Sequence, residues 1–436
     1  MSFRYLARTA LIIAVLGLAL SEPASAQRDD HGRFAIGHIN IDDTASAGDF
    51  SATTLFYRYI ADNFMGWENL SFNLDGNTRF SNQDYNHDIP GGRVSMANVK
   101  LKKLMGHVDL TLGRSFVEEF VSESVDGVDV KYWLDNKTGA GVFGGLRPDP
   151  YKDSVNADYN TVGGYLFTRT DELGLSAGYA YDTYKGKKDR ERINGVFYIM
   201  PSIENLHFQM SADVDNIDEE ADEEHPAKQG WEVTNLLAHF NWRPVRRLVL
   251  SATYNEFRAI NREASHLEQR IEMLEDKYTV ARVRAEGSLG KSFYIYGGVD
   301  QRFREADSAN ATQLYAGLRD SDFVLGTRWD LRYSDLDYFT SKVKAVYGML
   351  GVTVGESFNV EGSATWLKNT QEGQMGDLEQ WVYDVTLDYW ITKNIYANLM
   401  WQYSSEKYLD INSIYATRFA DNFTTTTLYG QVGYRF

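Results

Sequence analysis

The sequence predicts an all-β protein, a transmembrane antiparallel up-and-down β-barrel of about 22 strands, with 18–22 as the range the pattern allows. Three observations predict it. Apolar and polar residues alternate with period two from about Arg33 to the C-terminus. The connections between these segments are short and long by turns, as in barrels with both termini on one side of the membrane. Beyond the N-terminal leader no apolar run is long enough for a membrane helix, while 14% aromatic residues, 36 glycines and only seven prolines suit strands greasy on one side.

In chain order, Arg4 and Arg8 precede an apolar run from Ala10 to Leu20, followed by Ala24-Ser25-Ala26. This reads as a secretory signal peptide over residues 1–26, leaving a single barrel domain over 27–436. The formal charge of −17 includes Arg4, Arg8 and Glu22, so losing their net +1 leaves −18. So acidic a chain argues against nucleic acid as a partner. With no cysteine, disulfides, thiolate metal sites and C-x-x-C-H haem attachment are excluded.

The alternation is clearest from Asn69 to Phe80, where Leu70, Phe72, Leu74, Gly76, Thr78 and Phe80 oppose Asn69, Ser71, Asn73, Asp75, Asn77 and Arg79. No soluble core needs so polar an inner face. Leu206 to Asp215 and Phe323 to Tyr333 repeat the pattern. Tight connections are expected at 104–106, 135–139, 170–173, 202–205, 244–247, 290–291, 320–322, 355–356 and 392–394. Longer ones are expected at 81–93, 115–123, 148–158, 184–189, 215–230, 259–276, 305–310, 334–340, 369–378 and 405–421. Trp133, Trp242, Trp329, Trp366, Trp381, Trp390 and Trp401 fall near strand ends, where girdle aromatics settle.

By parity, the pore-lining candidates are Arg282, Arg284, Glu286, Asp300, Arg302, Arg304, Arg319, Arg328, Asp330 and Arg332 on four adjacent strands. Arginines on one wall can set a field that filters solutes. A ladder of charge pairs that keeps the wall hydrogen-bonded is the equal alternative. Asn261 to Asp276 breaks the rhythm: Ile260, Ala264, Leu267, Ile271 and Leu274 recur at helical spacing, which predicts an amphipathic loop helix resting on the rim, the lumen wall or a partner. The acidic run Asp213 to Glu224 does not match a calcium-loop template and reads as a solvated loop rather than a cation site. No catalytic motif is present, and His207 and His239, both on the polar face, lack a third ligand. Neither an enzyme, a metal nor a cofactor is expected.

The last stretch, Thr424 to Phe436, places Leu428, Gly430, Val432, Tyr434 and Phe436 on one face and Tyr429, Gln431, Gly433 and Arg435 on the other. It resembles the closing strand of Gram-negative outer-membrane β-barrels. The resemblance implies an outer-membrane location, contact with membrane lipid and lipopolysaccharide, and reading of Leu428, Val432, Tyr434 and Phe436 by the barrel-assembly machinery. Leu112-Gly113-Arg114 and Val125-Asp126-Gly127-Val128 are loosely similar to the strands flanking the constriction loop of general porins. The intervening Ser115 to Ser124 is too short for that family's inward fold. These features together lead us to expect a porin-like channel for passive diffusion of small hydrophilic solutes or ions. The alternative is a sheath around a periplasmic multihaem cytochrome, which a wide barrel without a haem motif of its own also resembles.

Overall fold

A sheet that is apolar on one side only can bury that side in lipid, provided no strand edge is left unpaired. A computed structural model describes residues 30–44, 50–81, 91–120, 123–149, 154–200, 205–219, 228–258, 277–305, 310–324, 326–338, 341–371, 377–409 and 423–436. The leader and the helical-period segment Asn261–Asp276 lie outside the described residues.

The chain runs up and down through β1 (Asp30–Asp43), β2 (Phe50–Ala61), β3 (Leu70–Ser81), β4 (Gly92–Leu104), β5 (Val108–Phe116) and β6 (Ser124–Trp133). It continues through β7 (Thr138–Leu146), β8 (Tyr159–Arg169), β9 (Leu173–Tyr184), β10 (Lys187–Ile199), β11 (Leu206–Glu219) and β12 (Lys228–Val245). Next come β13 (Leu248–Phe257), β14 (Tyr278–Ser288), β15 (Phe293–Arg304), β16 (Ala311–Asp320) and β17 (Thr327–Asp337). The last are β18 (Ser341–Val354), β19 (Phe358–Gln371), β20 (Asp377–Trp390), β21 (Ile395–Leu409) and β22 (Phe423–Arg435).

Each strand pairs antiparallel with the next, and β1 closes on β22 from Arg33↔Arg435 to Asp43↔Thr425, giving one 22-stranded cylinder. Closure removes both edges, the condition for strands to cross a bilayer. Both described termini sit at the short-turn end, where the Gly32 N–H donates to the Phe436 carbonyl at 3.1 Å.

Exposure fixes which face is which. Val142 and Leu166 are 61% and 65% exposed, whereas their neighbours Phe143 and Tyr165 are 3% exposed. The even residues of β7 and β8 therefore face lipid and the odd ones face inward. On β22, Leu428, Val432 and Tyr434 are exposed on the outer face, and the Phe436 ring packs near Tyr434 and Tyr59, with centroids at 5.9 and 6.1 Å.

Three local expectations need correction. The β9–β10 connection is a two-residue turn rather than a long loop, because Lys185 and Gly186 both take positive φ (49° and 79°), the geometry a tight hairpin requires. Phe323 stands in a turn before β17, where its N–H donates to the Thr327 carbonyl, so the strand starts at Thr327. Trp133 and Trp390 belong to the inner face, not the girdle. Trp133 meets the inward-facing Phe167 edge-on at 4.9 Å, and Trp390 pairs with Tyr396 at 5.4 Å. A strand position one residue out of step changes sides, which nearness to a strand end does not reveal. Trp381 and Trp401 do face outward, in a run of stacked rings with Tyr383 and Tyr403.

Candidate functional site: the lumen

Inward parity gives the cylinder a charged lining, and the structure divides it into three regions of different chemistry. The first is the wall of β14–β17, where all ten lining candidates have inward parity. Arg282 pairs with Asp300 at 2.9 Å across the β14–β15 register, and Arg284 pairs with Glu286 at 2.7 Å, which also holds Arg319. Tyr296 donates its hydroxyl to Asp330 at 2.5 Å, and Arg302 donates to Gln313 at 3.3 Å. Guanidinium groups lie over rings as well: Arg284 over Tyr296 at 5.2 Å, Arg319 over Tyr294 at 5.0 Å and Arg332 over Tyr347 at 5.0 Å. Arg328 reaches to β19, donating to Asn359 and Glu361 at 2.8 and 3.0 Å. The wall is a ladder of pairs, yet it stays open to water, with the Arg282 side chain 50% and those of Arg284 and Arg319 39% exposed.

The second region overturns an expectation. The segment between β5 and β6 is long enough to fold inward, and it does so. Val117 and Phe120 are buried in one cluster with Val125, Phe143, Tyr165, Phe167 and Ala180, all on the inner wall of β6–β9. Phe120 lies so close to Gly178 that a Cβ there would stand 2.7 Å from its ring, so glycine makes room for it. Charges fasten the segment: Lys131 bonds Glu119 at 2.5 Å, Arg169 reaches Glu119 at 3.1 Å, Arg147 approaches Glu123 at 3.7 Å, and Arg192 also pairs with Glu123. Arg192 further stacks over the Phe120 ring at 4.8 Å. Length misled because a constriction loop that spans a pore needs many residues, whereas one that lines its own wall needs few.

Behind the segment the wall is buried and densely paired. Arg190 bonds Asp215 at 2.5 Å, Arg147 bonds Asp182 at 2.7 Å, Asn194 donates to Asp213 at 2.7 Å and Tyr165 donates to Asp129 at 2.7 Å. Asp213 and Asp215, read above as part of a solvated acidic loop, are thus buried strand residues consumed by this network. Asn216 to Glu219 continue β11, with the Asn216 amide donating to Glu191 at 2.7 Å, and residues 220–224 lie outside the described residues. His207 and His239 sit 6.2 Å apart, and His239 shares a hydrogen bond with Thr253, but no metal-ligand cluster occurs among the described residues.

Glu118 is the half-exposed member of the inward segment, 3.6 Å from Lys100, 3.7 Å from Lys131 and 3.8 Å from Arg169. Burial pushes its carboxyl up, but the three cations outweigh burial and hold it below the usual 4.5. A depressed pKa contributes stability above the unfolded value and loses it as pH falls through the folded one. The clamp should therefore hold at neutral pH and loosen below about pH 4.5, seen as increased current noise through reconstituted protein on acidification, and weaker in Glu118→Gln.

The third region, β19–β21, carries amides and carboxylates. Asp384 accepts from Ser363 at 3.1 Å and Gln402 at 2.7 Å, and Asp388 accepts from Asn398 at 2.7 Å and Asn359 at 3.4 Å. Sequence reading passed over this set, although inward parity on the last strands was the available signal.

No protein-family model and no curated protein matches the chain. Among solved structures it is similar to Pseudomonas aeruginosa OccK3 and Acinetobacter baumannii OccAB4, each at 12% identity and TM-score 0.45. The aligned shares are 94% of this chain and 96% of OccK3, and 93% and 98% for OccAB4. The translocation pore of the P pilus usher PapC is as similar, at 12% identity and TM-score 0.44, over 93% of this chain and 99% of the usher pore.

Proposed function

We propose that this chain is an outer-membrane channel through which small hydrophilic solutes or ions diffuse passively, with its short turns in the periplasm. One observation carries the reading: a closed cylinder with an apolar exterior keeps an inner wall of arginines 39–50% exposed. Water-filled lumens of wide barrels look like this. In this reading the inward segment narrows the lumen from the β5–β12 side, so solutes pass along the arginine wall and the amide–carboxylate wall beside it. Membrane lipid and lipopolysaccharide would cover the exterior, and the assembly machinery would read Leu428, Val432, Tyr434 and Phe436. A sheath around a multihaem cytochrome has no observation in its favour, and the inward segment occupies space that a threaded partner would need.

Single-channel recording in planar bilayers tests the reading. A stable open conductance with linear current–voltage behaviour supports it, and a permanently closed protein sinks it. The arginine wall makes a further prediction. The triple replacement Arg282→Gln, Arg284→Gln, Arg319→Gln leaves Asp300, Glu286 and Asp330 in place and should shift the zero-current potential in a salt gradient towards cation preference. An unchanged reversal potential would reduce the ladder to a structural role.

A further inference from the structure

The amide–carboxylate wall ends at the short-turn side in a cavity of about 350 Å³, lined among others by Thr353, Glu356, Asn359, Asp388, Trp390 and Tyr396. That volume is at the small end of the range for ligand sites. Trp390 and Tyr396 stand side by side, 5.4 Å between ring centroids. Next to them Asp388 and Asn359 present planar polar groups, held by the 3.4 Å bond between them and by the donation from Asn398 to Asp388 at 2.7 Å. No lysine or arginine lines the cavity, and Asp388 is fixed by amides rather than by a cation. The Tyr396 ring leans over Gly433 of β22, which leaves room for it.

We propose that this cavity is a binding subsite for a neutral saccharide at the periplasmic mouth of the channel. A pyranose has an apolar C–H face and a rim of hydroxyls that both donate and accept. The indole and phenol rings suit the face, because aromatic side chains combine a large apolar surface with a polar tip. Asp388 suits the rim: a carboxylate has lone pairs left to accept from adjacent hydroxyls beyond the amides of Asn398 and Asn359 that hold it. An anion finds no lysine or arginine in the lining, and the neighbouring Arg328 is already engaged by Thr353, Asn359 and Glu361. A simple cation would use Asp388 but leave the rings without a role.

The proposal rests on the channel reading only for its biological setting, so its test does not need an open pore. Equilibrium dialysis of radiolabelled maltose against the detergent-solubilised barrel should show saturable, millimolar binding. Trp390→Ala and Asp388→Ala should each weaken it at least tenfold, Trp390→Phe should restore most of it, and Trp401→Ala on the outer face should leave it unchanged. Heat-modifiable migration on gels confirms that each variant is folded. Absence of saturable binding in the wild type, or binding indifferent to Trp390→Ala, overturns the subsite. So does binding of tetramethylammonium in place of maltose, lost in Asp388→Ala, which would make it a cation site. If maltose binds but bilayer recordings show no conductance, the subsite stands and the channel reading fails.

Discussion

Glu123→Ala should destabilise the barrel by about 3–5 kcal/mol and release the inward segment, because it removes the carboxylate that faces Arg192 and Arg147. The Arg192 side chain is 1% exposed, so water cannot take the place of the lost partner. With that fastening gone, the segment is held by the apolar cluster around Phe120 and by Glu119 with Lys131 and Arg169, and its Glu123 end should come away from the wall. Two measurements check this together. Urea titration of the barrel folded into liposomes should show the loss in stability, and bilayer recording should show a larger, noisier conductance. The double variant Glu123→Leu/Arg192→Met replaces the pair by apolar groups of similar size and should recover most of the stability. If Glu123→Ala matches the wild type in both measurements, the segment is not clamped by these charges.

The second large effect contrasts two adjacent residues. Val142→Arg places a charge on the lipid face of β7 and should cost about 2–4 kcal/mol, the penalty for arginine near the middle of a membrane barrel's apolar band. Phe143→Ala, one position along, removes a ring packed between Phe120 and Tyr165 and should cost about 3–5 kcal/mol through the cavity it leaves. The two differ in kind as well as size. Transferring Val142→Arg from bilayers to detergent micelles should relieve much of its penalty, whereas Phe143→Ala should be equally weak in both. Were both variants insensitive to the lipid, the assignment of faces on β7 would be wrong.

Much of this architecture was legible in the residues. Strand number and facing follow from period-two alternation, since one face must suit lipid and the other water along every strand. The ten charged residues from Arg282 to Arg332 were assignable to one face of the sheet by parity alone. Their partners were not, because the pairing of Arg319 with Glu286 depends on the stagger between strands β14 and β16, a property of the closed cylinder. Lys185-Gly186 was misjudged for a local reason: two positive-φ residues make a hairpin that polar composition alone reads as a loop.

By itself the sequence determined a membrane barrel of about 22 strands with a water-compatible lining, because alternation is written residue by residue and needs no long-range information, and the closed sheet fixed the number at 22. Only the tertiary structure decided that the chain fills part of its own lumen. That outcome depends on Glu119 and Glu123 meeting Lys131 on β6, Arg147 just past β7, Arg169 at the end of β8 and Arg192 on β10. It also depends on Phe120 finding the space above Gly178. Such meetings are set by how far the closed sheet carries each strand around the axis, and spacing along the chain does not encode that distance.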